Sequence, residues 1–291
     1  MTAILDVASL SGHPLPRLPA DGDKEDRGAV LVVGGEAVMA GASILAGVAA
    51  LRVGAGKLQI RGDLASSAAL AVAVPEARVV IASATHASPL LSEAAQASAL
   101  IIGPGMDTGK PQRQLALKLL EAAPGVTSVI DAGALPLDEE SEMFALLASG
   151  RAVLTPHAGE MASMLGRDKD AIKADPLAAA REAASMFQSV VVMKGVITFV
   201  VSPDGRAWRY EGGVRGLGTS GSGDVLAGAI GGMLARGAPP VTAAMWGVVL
   251  HAEAGSALAR AGAPMGFLAR ELLDQLAFAL GRISATPDGP A

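Results

Sequence analysis

The sequence predicts an α/β protein with a mostly parallel central sheet, and three observations predict it. Short apolar runs such as Ala29-Val-Leu-Val-Val33 and Ala99-Leu-Ile-Ile102 end in glycine turns and alternate with alanine-rich stretches of helical spacing. Hydrophobic residues make up 51 % of the 291 but aromatics only 3 %, so Ala, Val, Leu and Ile must build the core, a composition that suits buried parallel strands under small-residue helices. The stretch Gly216-Leu-Gly-Thr-Ser-Gly-Ser-Gly-Asp224 then runs without a break into an apolar helical pattern, the layout of an anion cradle at a helix N-terminus.

Residues 1–23, rich in Pro, Asp and Gly, read as an irregular lead-in. The strand 29–33 ends in Gly34-Gly35, and Gly41 to Val53 is an alanine-rich helix closed by Gly54. Lys57 to Arg61, Arg78 to Ala82 and Ala99 to Ile102 are further strands, and Pro111 to Ala122 is a helix. Thr127 to Asp131 is a strand with an acid at its carboxyl end, followed by a helix over Glu139 to Ser149 and a strand over Ala152 to Thr155. Right-handed crossovers put the ends at Gly34, Gly103, Asp131 and Thr155 on one sheet edge, where ligands bind in α/β proteins. Val190 to Lys194, Ile197 to Val201 and Ala207 to Tyr210 are joined by tight connections, which predicts a hairpin and an antiparallel edge. Three helices follow, over Asp224 to Ala235, Val241 to Ala261 and Phe267 to Arg282, and residues 284–291 form a polar tail expected to fray. Connections are short and no linker or repeat interrupts them, so residues 1–291 read as a single domain.

Composition excludes several functions. The net charge is −5 and no basic run exists, so nucleic acid is not an expected partner. The absence of cysteine excludes disulfides, thiolate catalysis and zinc–thiolate sites, and a reducing, cytoplasmic location is expected. The N-terminus has no basic n-region and carries Asp6 where an export signal would be apolar, and the run 37–51 is too short to span a bilayer. No membrane association is expected. His13, His86, His157 and His251 have no metal-ligand spacing.

Two motif matches fail on context. Gly216-Leu-Gly-Thr-Ser-Gly221 fits the dinucleotide pattern G-x-G-x-x-G but follows no strand. Gly103-Pro-Gly-Met-Asp-Thr-Gly-Lys110 resembles a phosphate-binding P-loop but has the wrong spacing and Pro111 where Ser or Thr is needed. Glycines 216, 218, 221 and 223 can take positive φ and let N–H groups approach a ligand; Asp224 is then either a helix-capping acid or a base beside the anion. Thr155-Pro-His-Ala-Gly-Glu160 packs an imidazole and a carboxylate at a helix start on the ligand edge. Glu160 is either a first-turn acid or a magnesium ligand acting through water, and Lys194 is either a phosphate partner or a surface lysine.

Together these segments resemble the ribokinase-like superfamily and, within it, the ADP-dependent NAD(P)H-hydrate dehydratases. The resemblance is carried by Val30-Leu-Val-Val-Gly-Gly35, Met39-Ala-Gly-Ala-Ser43, Ile102-Gly-Pro-Gly105, Leu154-Thr-Pro-His-Ala-Gly-Glu-Met161, Met193-Lys-Gly195 and Gly218-Thr-Ser-Gly-Ser-Gly-Asp-Val-Leu-Ala-Gly228. Small-molecule kinases of the superfamily usually have Asn where this chain has His157, and the histidine version is typical of the dehydratases. The resemblance implies a three-layer αβα fold and repair of hydrated nicotinamide nucleotides, NADHX and NADPHX. ADP would phosphorylate the ring hydroxyl and leave AMP (ATP, if it is the donor, would leave ADP), and loss of phosphate would then restore NADH or NADPH. By the same resemblance Asp224 is the base, with the N–H groups of Gly221, Ser222 and Gly223 on the transferring phosphoryl group. Ala42, Gly105, His157 and Asp224 would contact the hydrated dinucleotide, Lys194, Gly195, Val196, Ile197, Thr198 and Gly223 the adenosine nucleotide, and Mg²⁺ would sit near Glu160. A separate epimerase protein is expected in the same pathway, and a homo-oligomer is expected.

The chain departs from the family pattern in three places. Gly133 stands where the family often has a second aspartate, Asp23-Lys-Glu-Asp-Arg-Gly28 replaces a His-Lys-Gly lead-in, and Gly213-Val-Arg-Gly216 replaces Gly-Asn-Pro-Gly, with Arg215 able to compensate at a phosphate. A kinase of a small alcohol and a non-catalytic nucleotide-binding protein are the alternative readings.

Overall fold

A computed structural model describes all residues except 1, 20, 36–37, 83–86, 138–140, 148 and 286–291. The sheet contains, in chain order, β1 (Ala3–Ile4), β2 (Ala29–Val33), β3 (Lys57–Gly62), β4 (Ala77–Ile81), β5 (Ala99–Ile102), β6 (Thr127–Ile130), β7 (Ala152–Leu154), β8 (Val190–Met193), β9 (Thr198–Val201) and β10 (Ala207–Tyr210). Their spatial order is β1-β10-β9-β8-β7-β6-β5-β2-β3-β4. Strands β2 to β8 are parallel, β9 runs antiparallel to both β8 and β10, and β1 pairs parallel with β10. The expected antiparallel edge is therefore present, and the fold class is as the sequence predicts.

Helices cover both faces: α1 (Ala40–Arg52), α2 (Ser67–Ala73), α3 (Ser88–Gln96), α4 (Lys110–Ala122), α5 (Ser141–Leu147), α6 (Ala158–Met164), α7 (Lys169–Ala174), α8 (Pro176–Met186), α9 (Ser222–Ala235), α10 (Pro240–Arg260) and α11 (Ala269–Ser284). Alternate strand residues feed two cores. Val30, Val32, Ile101 and Val129 pack under α1, α9, α10 and α11, whereas Leu31, Val33, Leu100, Ile102 and Ile130 pack under α3, α4, α6 and α8. Such strands must be apolar throughout, which is why they read as continuous runs.

The lead-in is more ordered than expected: besides β1 it forms a 3₁₀ turn at Ala8–Gly12 and buries Leu5, Leu10 and Leu15. Helices α2, α3, α7 and α8 were not legible as periodic segments. Most of the tail expected to fray, and parts of the helix expected over 139–149, lie outside the described residues.

Helices α1 and α9 pack side by side in the same direction, with no room to spare. A Cβ on Gly228 would lie 2.2 Å from the Ala46 carbonyl oxygen, and one on Gly232 would lie 2.6 Å from the Ala50 oxygen. The contacts advance four residues along both helices at once, from Ala46 with Gly228 to Ala50 with Gly232. One turn earlier on each helix, Ala42 and Asp224 therefore stand at the same level.

Candidate active site at the carboxyl ends of the strands

Backbone hydrogen bonds tie the strand ends together. The Gly35 N–H donates to Pro104 O (2.7 Å), Gly103 to Val33 O (2.9 Å), Asp131 to Ile102 O (2.9 Å), Thr155 to Ile130 O (3.1 Å) and Lys194 to Pro156 O (2.8 Å). The four predicted loop ends converge, joined by the end of β8. The site lies beside the switch point between β2 and β5, where the strand order reverses direction.

At the centre is an ion cluster. Lys194 Nζ is 2.9 Å from Asp131 Oδ1 and 3.6 Å from Glu160 Oε2, and Thr155 donates its hydroxyl to Asp131 Oδ1 at 2.7 Å. With 19 % of its side chain exposed, Lys194 is not a surface lysine. Burial pushes its pKa down, but the charges of Asp131 and Glu160 outweigh that and hold it above the ordinary lysine value. Its ammonium lies where a Cβ on Gly223 would be 3.5 Å away, against the first turn of α9.

That turn has no capping side chain. Gly221 is the N-cap with φ +87°, a left-handed conformation only glycine takes without strain, and a Cβ there would also meet Leu45. Of the four glycines expected to offer positive φ, Gly221 alone does so; Gly216 is glycine because a Cβ would lie 2.3 Å from the Phe267 ring. The Ser222 N–H turns back to Thr219 O (3.3 Å), so it is not the free anion donor that the family resemblance implies. The N–H groups of Gly221, Gly223 and Asp224 make no backbone hydrogen bond among the described residues. Asp224 does not cap the helix: its carboxylate has no hydrogen-bond partner among the described residues. Burial and the nearby charge of Asp131 push its pKa up to about 7, against the opposing pull of Lys194. A carboxyl near neutrality beside unpaired N–H groups is the arrangement of a general base at an anion site.

His157 is the N-cap of α6. Its Nδ1 accepts from the N–H groups of Gly159 (3.0 Å) and Glu160 (3.1 Å), and Glu160 Oε2 accepts from the His157 N–H (2.7 Å), which completes a capping box. With Nδ1 an acceptor, the ring N–H is on Nε2, which lies 3.6 Å from Glu160 Oε1. Because Glu160 is committed to this box and to Lys194, a cation there would be held through water. No group of three or more His, Cys, Asp or Glu among the described residues is arranged to hold a metal directly.

Lys194, Gly195, Val196, Thr198, Ser222, Gly223 and His157 line one cavity of about 610 Å³, walled by Tyr210, Arg215, Leu217, Leu226 and Val248. The structure thus brings the predicted nucleotide-contact residues together, apart from Ile197, which is not among its lining residues. Asp224 is not among the cavity's lining residues; level with it on α1 stands Ala42, and a Cβ on Gly105 would be 2.7 Å from the Ala42 Cβ, which puts Gly105 and Ala42 together at the start of α1. Two further residues belong to the site without any motif to mark them: Asp131, the buried partner of Lys194, and His251, which lines the cavity. The signal for His251 was its place as the one histidine in the apolar stretch 243–252.

Fold and site together define a ribokinase-like architecture: a solved ribokinase-like superfamily protein from Enterococcus faecalis superposes with TM-score 0.82 at 25 % identity over 97 % of this chain and 96 % of that one. A hydroxyethylthiazole kinase from Pyrococcus horikoshii shares the fold at TM-score 0.61. Within that class the chain belongs to the NAD(P)H-hydrate dehydratase family, whose model matches residues 30–277. It is 44 % identical to the ADP-dependent (S)-NAD(P)H-hydrate dehydratase of Xanthomonas campestris over 95 % of this chain and 96 % of that protein. The Bacillus subtilis ADP/ATP-dependent NAD(P)H-hydrate dehydratase, co-crystallised with ATP and Mg²⁺, superposes with TM-score 0.82 at 28 % identity over 97 % and 99 % of the two chains. Of the bifunctional NAD(P)H-hydrate repair enzyme of Moorella thermoacetica, 36 % identical, the chain spans 52 % of the length.

Proposed function

We propose that this protein is an ADP-dependent (S)-NAD(P)H-hydrate dehydratase. The observation that carries the reading is the Asp224 carboxyl, its pKa pushed up to about 7 and without a hydrogen-bond partner among the described residues, next in the chain to Gly223 of the nucleotide-sized cavity and level with Ala42. Family membership supports the reaction, and the geometry supports the following division of labour. Asp224 takes the proton of the hydroxyl on the hydrated ring, and that oxygen attacks the β-phosphorus of ADP as the bond to AMP breaks. The free N–H groups of Gly221, Gly223 and Asp224, with Lys194, meet the charge on the transferring group. Loss of the new ester as phosphate, with a ring proton, restores the double bond of NADH or NADPH.

On this reading Ala42, Gly105 and the His157 Nε2–H hold the hydrated dinucleotide, and the cavity around Lys194–Thr198 holds the adenosine nucleotide. A magnesium ion, if bound, would be held through water near Glu160 and would neutralise charge on the nucleotide phosphates. The lack of cysteine fits a cytoplasmic setting, and no helix among the described residues is long and apolar enough to cross a membrane. The bifunctional NAD(P)H-hydrate repair enzymes among the relatives support the pairing of this activity with an epimerase.

The test is incubation with hydrated NADH, ADP and Mg²⁺ while the absorbance of reduced nicotinamide is followed. Recovery that depends on ADP, with AMP and inorganic phosphate in the phosphorus NMR spectrum, is expected. A stable phosphorylated product would assign a kinase instead, and ADP binding without turnover would leave a nucleotide-binding protein.

A further inference from the structure

The first turn of α9 carries the proposed base and the free N–H groups, yet nothing in its own sequence holds it in place. Its N-cap is glycine, with no capping side chain, and the preceding stretch contains glycines at 216, 218 and 221. Backbone turns from Leu217 to Val214 O, Gly218 to Arg215 O and Ser222 to Thr219 O set its path, but the glycines bring no side chain of their own to fix the first helical turn. The first side chain of the helix, Ser222, is buried at 4 % exposure, and its hydroxyl lies 2.9 Å from Nε2 of His251 on α10. No other side-chain hydrogen bond to residues 221–224 exists among the described residues.

Resting on the proposed dehydratase reading, we propose that His251 is a positioning residue of the phosphoryl-transfer site: it holds Ser222 and so fixes the aim of the Gly223 and Asp224 N–H groups and of the Asp224 carboxylate. The pair spans the packed interface of α9 and α10, where a Cβ on Gly247 would lie 2.4 Å from Ile230 Cγ1, so α10 offers a rigid platform. The ring also faces the nucleotide cavity. Burial pushes its pKa down to about 4, and Lys194 acts in the same direction, so the ring is neutral. A neutral imidazole has one N–H and one lone pair, and the Ser222 hydroxyl can serve either. When Nε2 donates, the Ser222 proton is released toward the cavity, and when Nε2 accepts, it is held back. The anchor therefore stands without adding charge beside Lys194.

The alternative is that Ser222 and His251 only satisfy one another inside the core. In that case replacing both by apolar groups of similar size leaves function intact. The experiment compares His251→Leu, His251→Gln, Ser222→Ala and the Ser222→Ala/His251→Leu double variant, with thermal unfolding of each as a control. Expected for His251→Leu is a fall in kcat of about 10- to 100-fold with KM for ADP changed less than about threefold. His251→Gln, whose amide reaches the same hydroxyl, should recover most of that loss. The double variant should be no worse than the poorer single variant, because the two side chains act as one unit.

Amide hydrogen exchange of peptides covering residues 217–226 supplies a readout independent of turnover. Exchange there should rise in His251→Leu while the rest of α10 stays protected. Unchanged exchange, or a double variant with wild-type kcat, overturns the anchor. If the wild-type protein has no dehydratase activity, the parent reading fails, and the exchange measurement still decides whether His251 holds the loop.

Discussion

Replacing Asp224 by asparagine should make the protein slower and more stable at once. The carboxyl is raised from 3.8 to about 7, chiefly by burial and then by Asp131. Between about pH 4 and pH 7 the folded state binds more protons at this site than the unfolded chain, so wild-type stability falls as pH rises through that window and stays reduced above it. A shift of about three units corresponds to a ceiling of about 4 kcal/mol. Solvent at the rim of the site screens part of this, and about 2 kcal/mol is the working figure. For 291 residues that is a rise in Tm of about 3 °C at pH 8, shrinking toward zero near pH 4. Over the same comparison kcat should fall by about 10²- to 10⁴-fold, with nucleotide binding kept. The assays are thermal unfolding of both proteins across pH and steady-state turnover at pH 8. An asparagine variant that is less stable than wild type at pH 8, or equally stable at every pH, would refute the claim that this carboxylate is held at a cost.

For the wild type, kcat/KM should rise with pH through about 7 and level off above it, since the base acts when deprotonated; a pH–rate profile checks this. Lys194→Met should destabilise by about 3–5 kcal/mol, because Asp131, 3 % exposed, loses its ionic partner, and any remaining activity should have its acidic limb moved to higher pH; denaturant unfolding and a pH profile read both. Gly133→Asp, which restores the carboxylate common in the family, should destabilise by roughly 1–3 kcal/mol and not gain activity, because a Cβ there would lie 2.2 Å from the Asp107 carbonyl oxygen; unfolding midpoints and turnover decide it. His157→Asn keeps a side chain able to cap α6, so stability should change by less than roughly 0.5 kcal/mol while KM for the hydrated substrate rises up to about tenfold.

Much of the fold was legible because buried parallel strands must be apolar on both faces, which made β2, β5 and β8 unmistakable as runs. Helices α2, α7 and α8 were missed since six to eleven residues supply too few turns for a period to stand out, and α7 and α8 meet directly at Asp175. The two-residue strand β1 has no periodicity to detect, and the burial of Leu5, Leu10 and Leu15 depends on what folds over them. In the site, spacing pointed to Asp224, His157 and Lys194, all at element ends on one edge. It did not show that Asp131 neutralises Lys194 or that His251 reaches Ser222, because each contact joins residues far apart in the chain: positions 131 and 194, and 222 and 251. Nor did it show that Gly133 is closed off by the 103–109 loop, so that the missing acid reflects occupied space.

The side-by-side packing of α1 and α9 makes the site a fixed gauge. With Gly228 stopped by the Ala46 oxygen and Gly232 by the Ala50 oxygen, the two helix starts cannot slide closer, and drawing them apart would open a void. The spacing of Ala42 and Asp224 is then set by backbone against backbone, while the Ser222–His251 pair acts on the direction of the N–H groups at that level. On the proposed reading the two helices hold one length, which favours donor–acceptor pairs that match it.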